Sequence, residues 1–236
     1  MRRILPGLYT FTGLVVGRVY MIEDPDGLTI IDTSLSFAPK RILKQIAGLG
    51  YAPVDVKRIL ITHAHPDHVG GLHELQKATG ADVYASEPER GAIQDCQPVV
   101  GPLKEKLSGI VKYLPLPNAT FPSTPVARVL RDSDVLEEVM GGLQVVATPG
   151  HAPGHIAFWQ PERKVLFCGD VMMALWPRRL TLPFRMVTVD MDENIRSLKK
   201  LADLDTQVLC LGHGIPITRD TSELIRSFAR KLDISS

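Results

Sequence analysis

The stretch Thr62-His63-Ala64-His65-Pro66-Asp67-His68-Val69-Gly70-Gly71 places four side chains that can bind a metal within six positions. It follows the apolar residues 59–61, which predict a buried strand that ends where polar residues begin. In an extended segment residues two apart project to the same side, so His63 and His65 can bind one ion from a single short loop. The proline then redirects the chain toward a helix, so that Asp67 and His68 face a second ion or the far side of the first. The stretch therefore predicts a metal site at the C-terminal end of a strand.

Three further segments repeat this arrangement of an apolar run, a glycine and a candidate ligand. Residues 145–151 end at His151, residues 165–170 end at Asp170, and residues 208–213 end at His213. Glycine beside a ligand suits a backbone that turns tightly or approaches an ion closely, where a Cβ would obstruct. A single histidine in such a place is more often structural than a ligand. A set of five histidines and two aspartates at strand ends instead predicts one shared metal centre.

The order of these candidate ligands resembles the metallo-β-lactamase superfamily, and their spacing resembles its glyoxalase II branch. The resemblance extends from Ile30-Ile31-Asp32-Thr33 to Gly212-His213-Gly214, which is nearly the whole chain. It implies an α/β fold with mixed sheets, arranged as a four-layer αββα sandwich that holds a metal pair between the sheet edges. It also implies which metal each candidate residue binds. By the same resemblance, the first metal is bound by His63, His65 and His151, the second by Asp67, His68 and His213, and Asp170 bridges both.

Composition limits the classes of protein to consider. A chain of 236 residues and 26.0 kDa fits a single domain over residues 1–236, since single cores grow to roughly 250 residues before chains split. A net charge of +1 provides no large field for binding phosphate polymers, so we expect a small-molecule substrate and no nucleic-acid partner. No apolar stretch approaches the roughly 20 residues of a membrane span, so no membrane association is expected.

The cysteines bear on the compartment. Cys96, Cys168 and Cys210 are too few and too scattered for a disulfide framework, so reduced thiols are expected. Residues 2–3, two arginines, are followed too soon by a proline and a glycine for the apolar part of a secretory signal, so a cytoplasmic location is expected. Cys168 and Cys210 lie within apolar strand runs and are predicted to be small buried hydrophobic residues rather than thiolate ligands.

Periodicity predicts strands alternating with helices. A helix is expected over residues 37–49, a second through Val69, Leu72 and Leu75, and two more over residues 192–204 and 222–232. Residues 87–127 contain seven prolines and predict a helical excursion followed by a loop over the site. The predicted strands are residues 8–11, 15–22, 28–31, 81–85, 126–130, 134–138, 143–147, 156–160 and 164–167.

The predicted reaction is hydrolysis of a small thioester, ester or lactone through a metal-bridging hydroxide. Two divalent ions that share a carboxylate lower the pKa of a bound water to about 7, which makes a serine or cysteine nucleophile unnecessary. The sequence contains no Gly-x-Ser-x-Gly elbow and no dinucleotide fingerprint. Zinc is the expected ion, with iron or manganese as alternatives. Asp67 is a candidate catalytic residue that could take the nucleophile's proton while it binds the metal.

Several other residues are predicted to support the site. Asp32 ends a strand beside the metal loop and is expected either to hydrogen-bond a ligand or simply to form a turn. His155 is expected to orient a ligand or a carboxylate, or else to have a purely structural role. Residues 171–189 are predicted to choose the substrate, with an apolar wall of methionine, leucine and tryptophan beside a few cations, or else to form a surface loop. Similar lactonases carry a tyrosine where this chain has Met173, which weakens a lactonase assignment.

Other functions remain as hypotheses. The first is a mononuclear iron oxygenase that resembles the persulfide dioxygenases of the same superfamily, although such an enzyme would have no use for Asp67, His68 and His213. A second is a non-catalytic or flavin-partnered metal module, which an open site with this many ligands disfavours. Antibiotic hydrolysis is also disfavoured, because metallo-β-lactamases proper usually lack a bridging carboxylate such as Asp170.

Overall fold

Two mixed β-sheets face each other across the centre of the computed structural model, which describes residues 1–97, 99, 121–176 and 178–234. The first sheet has seven strands in the order β1 to β7, antiparallel from β1 to β4 and parallel from β4 to β7. Its strands are β1 Arg2–Leu5, β2 Leu8–Thr10, β3 Tyr20–Asp24, β4 Gly27–Ile31, β5 Val56–Leu60, β6 Asp82–Ser86 and β7 Arg128–Leu130.

The second sheet has five strands in the order β14-β11-β10-β9-β8, with β11 and β14 parallel and the other pairs antiparallel. A separate hairpin, β12-β13, follows the strand that leads to Asp170. These strands are β8 Val135–Leu136, β9 Leu143–Ala147, β10 Ile156–Gln160, β11 Val165–Gly169, β12 Met173–Trp176, β13 Arg179–Thr181 and β14 Val208–Leu211.

Six α-helices are described, together with short 3₁₀ turns at Pro53–Asp55 and Arg185–Val187. Helices α1, α3 and α4 contribute to the apolar cluster on the outer face of the first sheet, and α5 and α6 to the cluster on the outer face of the second. The helices are α1 Pro39–Ala47, α2 Pro66–Val69, α3 Leu72–Thr79, α4 Glu87–Gln94, α5 Met191–Ala202 and α6 Thr221–Ile234. None of the described helices combines the length and the apolar content needed to cross a bilayer.

The four layers follow from alternation along fully buried strands. In β5, Ile59 belongs to the cluster under α1 and α3, whereas its neighbour Leu60 belongs to the cluster between the sheets. In β10, Phe158 faces the first sheet and Trp159 faces α5 and α6. Successive side chains of a strand point to opposite faces, so two sheets with apolar residues on both faces need a helical layer on each outer side. The predicted αββα sandwich is therefore confirmed.

The strand topology places the candidate ligands. Parallel strands end at the same edge of a sheet, so the segments after β4 and β5 lie side by side, as do those after β11 and β14. Asp32 and the metal loop follow the first pair, and Asp170 and His213 follow the second. Both sheets thus present these residues at one end of the sandwich.

Several predicted elements differ from the structure. The helix predicted through Val69, Leu72 and Leu75 is divided into α2 and α3 by two glycines, and the strand predicted over residues 134–138 is only Val135–Leu136. The strand predicted at residues 15–22 begins only at Tyr20, because residues 15–17 form a loop against the metal segment. The helical excursion is present as α4, and positions 98 and 100–120 of the loop predicted to follow it lie outside the described residues. The described part reaches the site at Val99, whose carbonyl oxygen lies 3.3 Å from His65 Nε2.

Candidate metal centre

The metal loop leaves β5 through Ile61 and Thr62 and enters the short helix α2 at Pro66. His65 is extended, with a ψ of 150°, and the proline occupies the first turn of α2, where its missing N–H costs nothing. His63 and His65 therefore precede the helix, whereas Asp67 and His68 lie on it. The turn at the proline is the one expected from the sequence, but the helix begins at Pro66 itself and not after the two glycines.

The seven candidate ligands come together in three overlapping groups. Within each group the ligand atoms lie within 4.8 Å of one another. The groups are His63, His65 and His151; His63, His68 and Asp170; and Asp67, His68 and His213.

Asp170 lies between the first and last of these groups. Its Oδ2 is 3.6 Å from His151 Nε2 and 3.1 Å from His213 Nε2, and its Oδ1 is 3.5 Å from His68 Nε2. One carboxylate thus reaches imidazoles on both sides of the centre. Its position is the one required of a bridging ligand.

The histidine nitrogens pass a direct test of fit to a metal. Among the described residues, no hydrogen-bond partner is found for the buried Nε2 atoms of His63, His68 and His151 or for the buried Oδ1 of Asp170. A buried polar atom without a partner is costly, and four at one place fit a bound cation.

The hydrogen bonds of the other ring nitrogen, Nδ1, explain why Nε2 is available to bind a metal. His68 Nδ1 lies 2.8 Å from Asp32 Oδ2, and His63 Nδ1 lies 3.1 Å from Thr62 Oγ1, which donates its own proton to Asp32. His151 Nδ1 lies 3.1 Å from Thr188 Oγ1, whose proton goes to the carbonyl of Phe184. Each Nδ1 faces an acceptor and so carries a proton, which in the neutral ring leaves Nε2 free to bind a metal. His63 and His151 are neutral in this way. Burial opposes protonation of His68, but Asp170, Asp32 and Asp67 outweigh it and raise the pKa of His68, so a metal would displace its Nε2 proton.

The electrostatics divide the centre into two parts. Burial lowers the pKa of His63 well below its ordinary value, and burial lowers the pKa of His151 to about 3. Burial also opposes protonation of His213, but Asp170 and Asp67 outweigh it and raise the pKa of His213 to about 9. In the metal-free protein, protons on the Asp67 side balance carboxylate charge that a cation would otherwise balance.

The carboxylates respond in the opposite sense. Burial opposes ionisation of Asp67, but His68 and His213 outweigh it and lower its pKa to about 2. The same two histidines hold the pKa of Asp170 well below its ordinary value against an opposing effect of burial. Both aspartates are therefore ionised at neutral pH and can bind a cation.

The two expected supporting residues both contact the centre. Asp32 accepts hydrogen bonds from His68 and from the backbone and hydroxyl of Thr62, so it does more than end a strand. His155 Nε2 accepts a hydrogen bond of 3.0 Å from the backbone N–H of Asp170, while its Nδ1 lies 2.8 Å from Thr148 Oγ1. His155 thus holds the backbone of Asp170, and no described hydrogen bond joins it to the carboxylate itself.

The segment after Asp170 differs from the predicted substrate wall. Met172 and Met173 are buried, and Met172 packs in the core under α5 and α6. Trp176 is 71% exposed at the end of β12, and Arg178 pairs with Asp220 on the surface. The methionines are therefore core residues, whereas the tryptophan stays available to solvent.

Sequence reasoning missed the residues that join the two halves around the centre. Arg18 donates from its backbone N–H to Gly212 and from Nε to the carbonyl of Gly214, on both sides of His213. Tyr20 donates its hydroxyl proton to Leu211 at 2.7 Å, and Glu89 accepts from two ligand loops. No local pattern distinguishes these residues from ordinary strand and helix residues, because their partners are distant in the sequence.

Comparison with known proteins gives the same picture. A family model described as the metallo-beta-lactamase superfamily matches residues 12–213. The "Probable metallo-hydrolase YflN" of Bacillus subtilis (strain 168) is 30% identical over 227 residues, which cover 86% of this chain and 82% of that protein. The "Hydroxyacylglutathione hydrolase" of Ectopseudomonas mendocina (strain ymp) is 37% identical over 116 residues, but the match covers only 49% of this chain and 33% of that protein.

Solved structures agree on the fold. The metallo-beta-lactamase family protein TTHA1429 from Thermus thermophilus has a TM-score of 0.72 at 27% identity, covering 98% of this chain and 81% of that one. BJP-1, a subclass B3 metallo-beta-lactamase of Bradyrhizobium japonicum, has a TM-score of 0.73 at 26% identity, covering 99% of this chain and 90% of that one.

Proposed function

This chain belongs to the metallo-beta-lactamase superfamily, and from that premise we propose that it is a dinuclear hydrolase of a small thioester, ester or lactone. The observation that carries the proposal is the convergence of the three ligand groups on Asp170, with bare Nε2 atoms on both sides. His63, His65 and His151 would hold a first ion, Asp67, His68 and His213 a second, and Asp170 would bind both. The chemistry supplied by a bound metal pair would be the activation of water near neutral pH and the polarisation of a carbonyl group.

The chain's own residues define how a substrate would reach the centre. The side chain of Asp67 is 26% exposed and that of His213 is 17% exposed, whereas His63, His68, His151 and Asp170 are almost fully buried. The substrate therefore approaches on the side of Asp67 and His213. Because Asp67 is ionised at neutral pH, its carboxylate can accept the proton that the nucleophile loses as it attacks.

The identity of the ions and the setting of the enzyme belong to the same proposal. Imidazole and carboxylate donors suit zinc and also iron or manganese, and zinc is our choice because the reaction needs no redox change. We place the enzyme in the cytoplasm as a single domain over residues 1–236, on the basis of its scattered cysteines and its length.

Histidine variants test the proposal, and the chain supplies a matched control. We expect about two metal equivalents per chain in the parent protein. His68→Ala and His213→Ala should each lower kcat/KM for the best thioester, ester or lactone by at least about 100-fold, a loss typical of a disrupted metal site. His73→Ala should behave like the parent, since His73 lies on α3 and contacts Ser123 instead of the centre.

Two results would contradict the proposal. Full turnover in both His68→Ala and His213→Ala would show that the group of Asp67, His68 and His213 does not serve catalysis. One iron per chain, with oxygen consumption on a persulfide, would instead favour the mononuclear oxygenase.

A further inference from the structure

Glu89 is a buried carboxylate in the first turn of α4, with only 3% of its surface exposed. Its Oε2 accepts a 2.6 Å hydrogen bond from the backbone N–H of Ala64, and its Oε1 accepts a 2.8 Å bond from the backbone N–H of Gly154. Burial raises the pKa of Glu89, and the two N–H groups oppose that rise. A buried carboxylate is costly unless it is hydrogen-bonded, so these two backbone groups are what hold it in place.

The two N–H groups belong to the two loops that supply the first ligand group. Ala64 lies between His63 and His65, and Gly154 lies three residues after His151. These loops come from different sheets, one after β5 and the other after β9. A single side chain therefore spans the gap between the loops that carry all three imidazoles of this group.

The approach of the Gly154 loop to α4 is unusually close. A Cβ on Gly154 would lie 2.5 Å from Ser86 Oγ, 2.8 Å from Pro88 Cβ and 3.0 Å from Glu89 Cγ. Ser86 Oγ also donates a hydrogen bond to the carbonyl of Gly154. The loop is thus held through both its N–H and its C=O by residues at the junction of β6 and α4.

The group formed by Asp67, His68 and His213 is held by other residues. His68 is fixed by Asp32, and the segment around His213 is fixed by Arg18 through Gly212 and Gly214. Glu89 makes no described hydrogen bond to these residues. A change at Glu89 should therefore act on one side of the centre.

We propose that Glu89 is a positioning residue that sets the spacing of His63, His65 and His151 and thereby the metal affinity of this group alone. The inference rests on the proposed metal pair. Glu89 acts through the backbone of the ligand loops and touches neither ion nor substrate. Its carboxylate connects the loop after β5 to the loop after β9, which are distant in the sequence.

Glu89→Gln tests this role with little change in size. The amide keeps one acceptor oxygen but presents an NH₂ group where the second N–H must be accepted, so one bond of the clamp is lost. The control is Glu87→Gln in the same helical turn, where the side chain is 60% exposed and pairs only with Arg90 among the described residues. Zinc binding to the metal-free proteins is measured by competition with a chelator of known affinity.

We expect Glu89→Gln to bind one zinc equivalent about 10- to 100-fold more weakly than the parent, with the other equivalent unchanged. Glu87→Gln should match the parent at both. Melting temperatures separate positioning from a general loss of stability. A merely structural role would lower the melting temperature equally with and without zinc, whereas the proposed role makes the rise on adding zinc smaller than in the parent.

Ser86→Ala decides the question if Glu89→Gln does not fold. It removes the hydrogen bond to the carbonyl of Gly154 without altering a charge, and it should weaken the same zinc equivalent. Parent-like binding of both equivalents in Glu89→Gln, or in Ser86→Ala where that variant decides, would overturn the inference and leave the proposed function standing. Fewer than two equivalents in the parent itself would overturn the metal pair and this inference with it.

Discussion

Asp32 illustrates how a residue outside the ligand groups can control the metal centre. It is buried at the end of β4, and its carboxylate accepts hydrogen bonds from His68 Nδ1 at 2.8 Å and from the backbone and hydroxyl of Thr62. The bond to His68 fixes the tautomer and the plane of the ring, which aims Nε2 at the centre. The Thr62 hydroxyl extends the same control to His63.

Asp32→Asn should therefore weaken zinc binding at the Asp67, His68 and His213 group by about 10- to 100-fold, because the amide cannot serve every donor that the carboxylate serves. The measurement is the same chelator competition. Asp192→Asn, at an exposed position in the first turn of α5, is the control and should bind like the parent. Parent-like zinc affinity in Asp32→Asn would show that the bond to His68 is not needed to orient it.

The sequence indicates the candidate ligands more clearly than the residues that support them. His63, His65, Asp67 and His68 are recognisable because the local chain geometry that brings them together is written in one short stretch. Glu89 has no such mark, since an acidic residue in the first turn of a helix is common and is favoured by the helix dipole alone. Its role follows only from the tertiary contacts with Ala64 and Gly154.

At the scale of elements, alternation predicts most strands but not where the chain leaves a sheet. Residues 15–17 are apolar enough to extend β3, but the structure uses them as a loop. The Ser34 hydroxyl donates to the carbonyl of Val16, and a Cβ on Gly17 would lie 1.9 Å from the carbonyl oxygen of Asp67. The loop conformation is thus set by contact with the metal segment, which a local pattern does not contain.

Hydrophobicity also fails to separate a substrate wall from a core. Met172 and Met173 lie two and three residues after Asp170 and look suited to line a site, but both are buried. A methionine can serve either purpose, because its flexible side chain fills core gaps as readily as it lines a binding surface. Only the hairpin β12-β13, which sends Trp176 outward, shows which residues remain accessible.

A buried charge cluster joins β3, β4 and β5 near the β3–β4 turn. Arg58 on β5 forms two hydrogen bonds to Asp26 and lies 3.9 Å from Asp24. Asp24 also accepts from the hydroxyl of Thr29 and from the backbone N–H of Met140, which precedes β9. The cluster therefore connects the first sheet to the second half of the chain.

Arg58→Met should destabilise the metal-free protein by about 2 kcal/mol at neutral pH, because it removes the cation beside the buried Asp24, which keeps only its two described hydrogen bonds. The loss should shrink as the pH falls. Burial raises the pKa of Asp24, while its hydrogen bonds and Arg58 oppose the rise, so removing Arg58 raises that pKa further. Below the unfolded-state pKa of about 3.9, Asp24 is protonated in both states and the variant loses no stability from it. As the pH rises through the higher pKa of Asp24 in the folded variant, the variant loses stability.

The loss of the Asp26 pair also makes the destabilisation by Arg58→Met larger at neutral pH than in acid. Hydrogen bonding to Arg58 lowers the pKa of Asp26, so its contribution to stability is present above the unfolded pKa and disappears in acid. Urea unfolding of metal-free Arg58→Met at about pH 4 and about pH 7 measures both effects. Arg230→Met, which breaks an exposed pair with Glu223, should cost at most about 1 kcal/mol. An Arg58→Met penalty that does not grow with pH would refute this account of the cluster.

At the scale of the whole molecule, the metal centre lies where the two sheets are joined. The first sheet and its loops supply His63, His65, Asp67 and His68, and the second supplies the other three candidate ligands. The backbone N–H of Ile156 donates to the carbonyl of Thr62, and Tyr20 and Arg18 reach across to the segment that carries His213. Closing the sandwich and assembling the centre therefore depend on the same contacts.

The position of the candidate ligands on both sheets explains how much of the overall architecture could be predicted from the sequence. The ligand order resembles one superfamily closely enough to imply both the αββα layers and the pairing of ligands from two halves. The contacts that hold the halves together are not predictable in the same way, because each joins residues that are distant in the sequence and of ordinary type. Arg18 precedes β3 and Tyr20 begins it, and nothing in the local sequence indicates that both contact the chain at and just after the end of β14.

The most direct test of the central claim is anomalous X-ray scattering from crystals of the metal-loaded protein, collected at the absorption edges of zinc, iron and manganese. We predict two zinc peaks roughly 3.5 to 4 Å apart, with Asp170 between them. One should lie beside His63, His65 and His151, and the other beside Asp67, His68 and His213. A single peak, with Asp67, His68 and His213 turned away from it, would contradict the account.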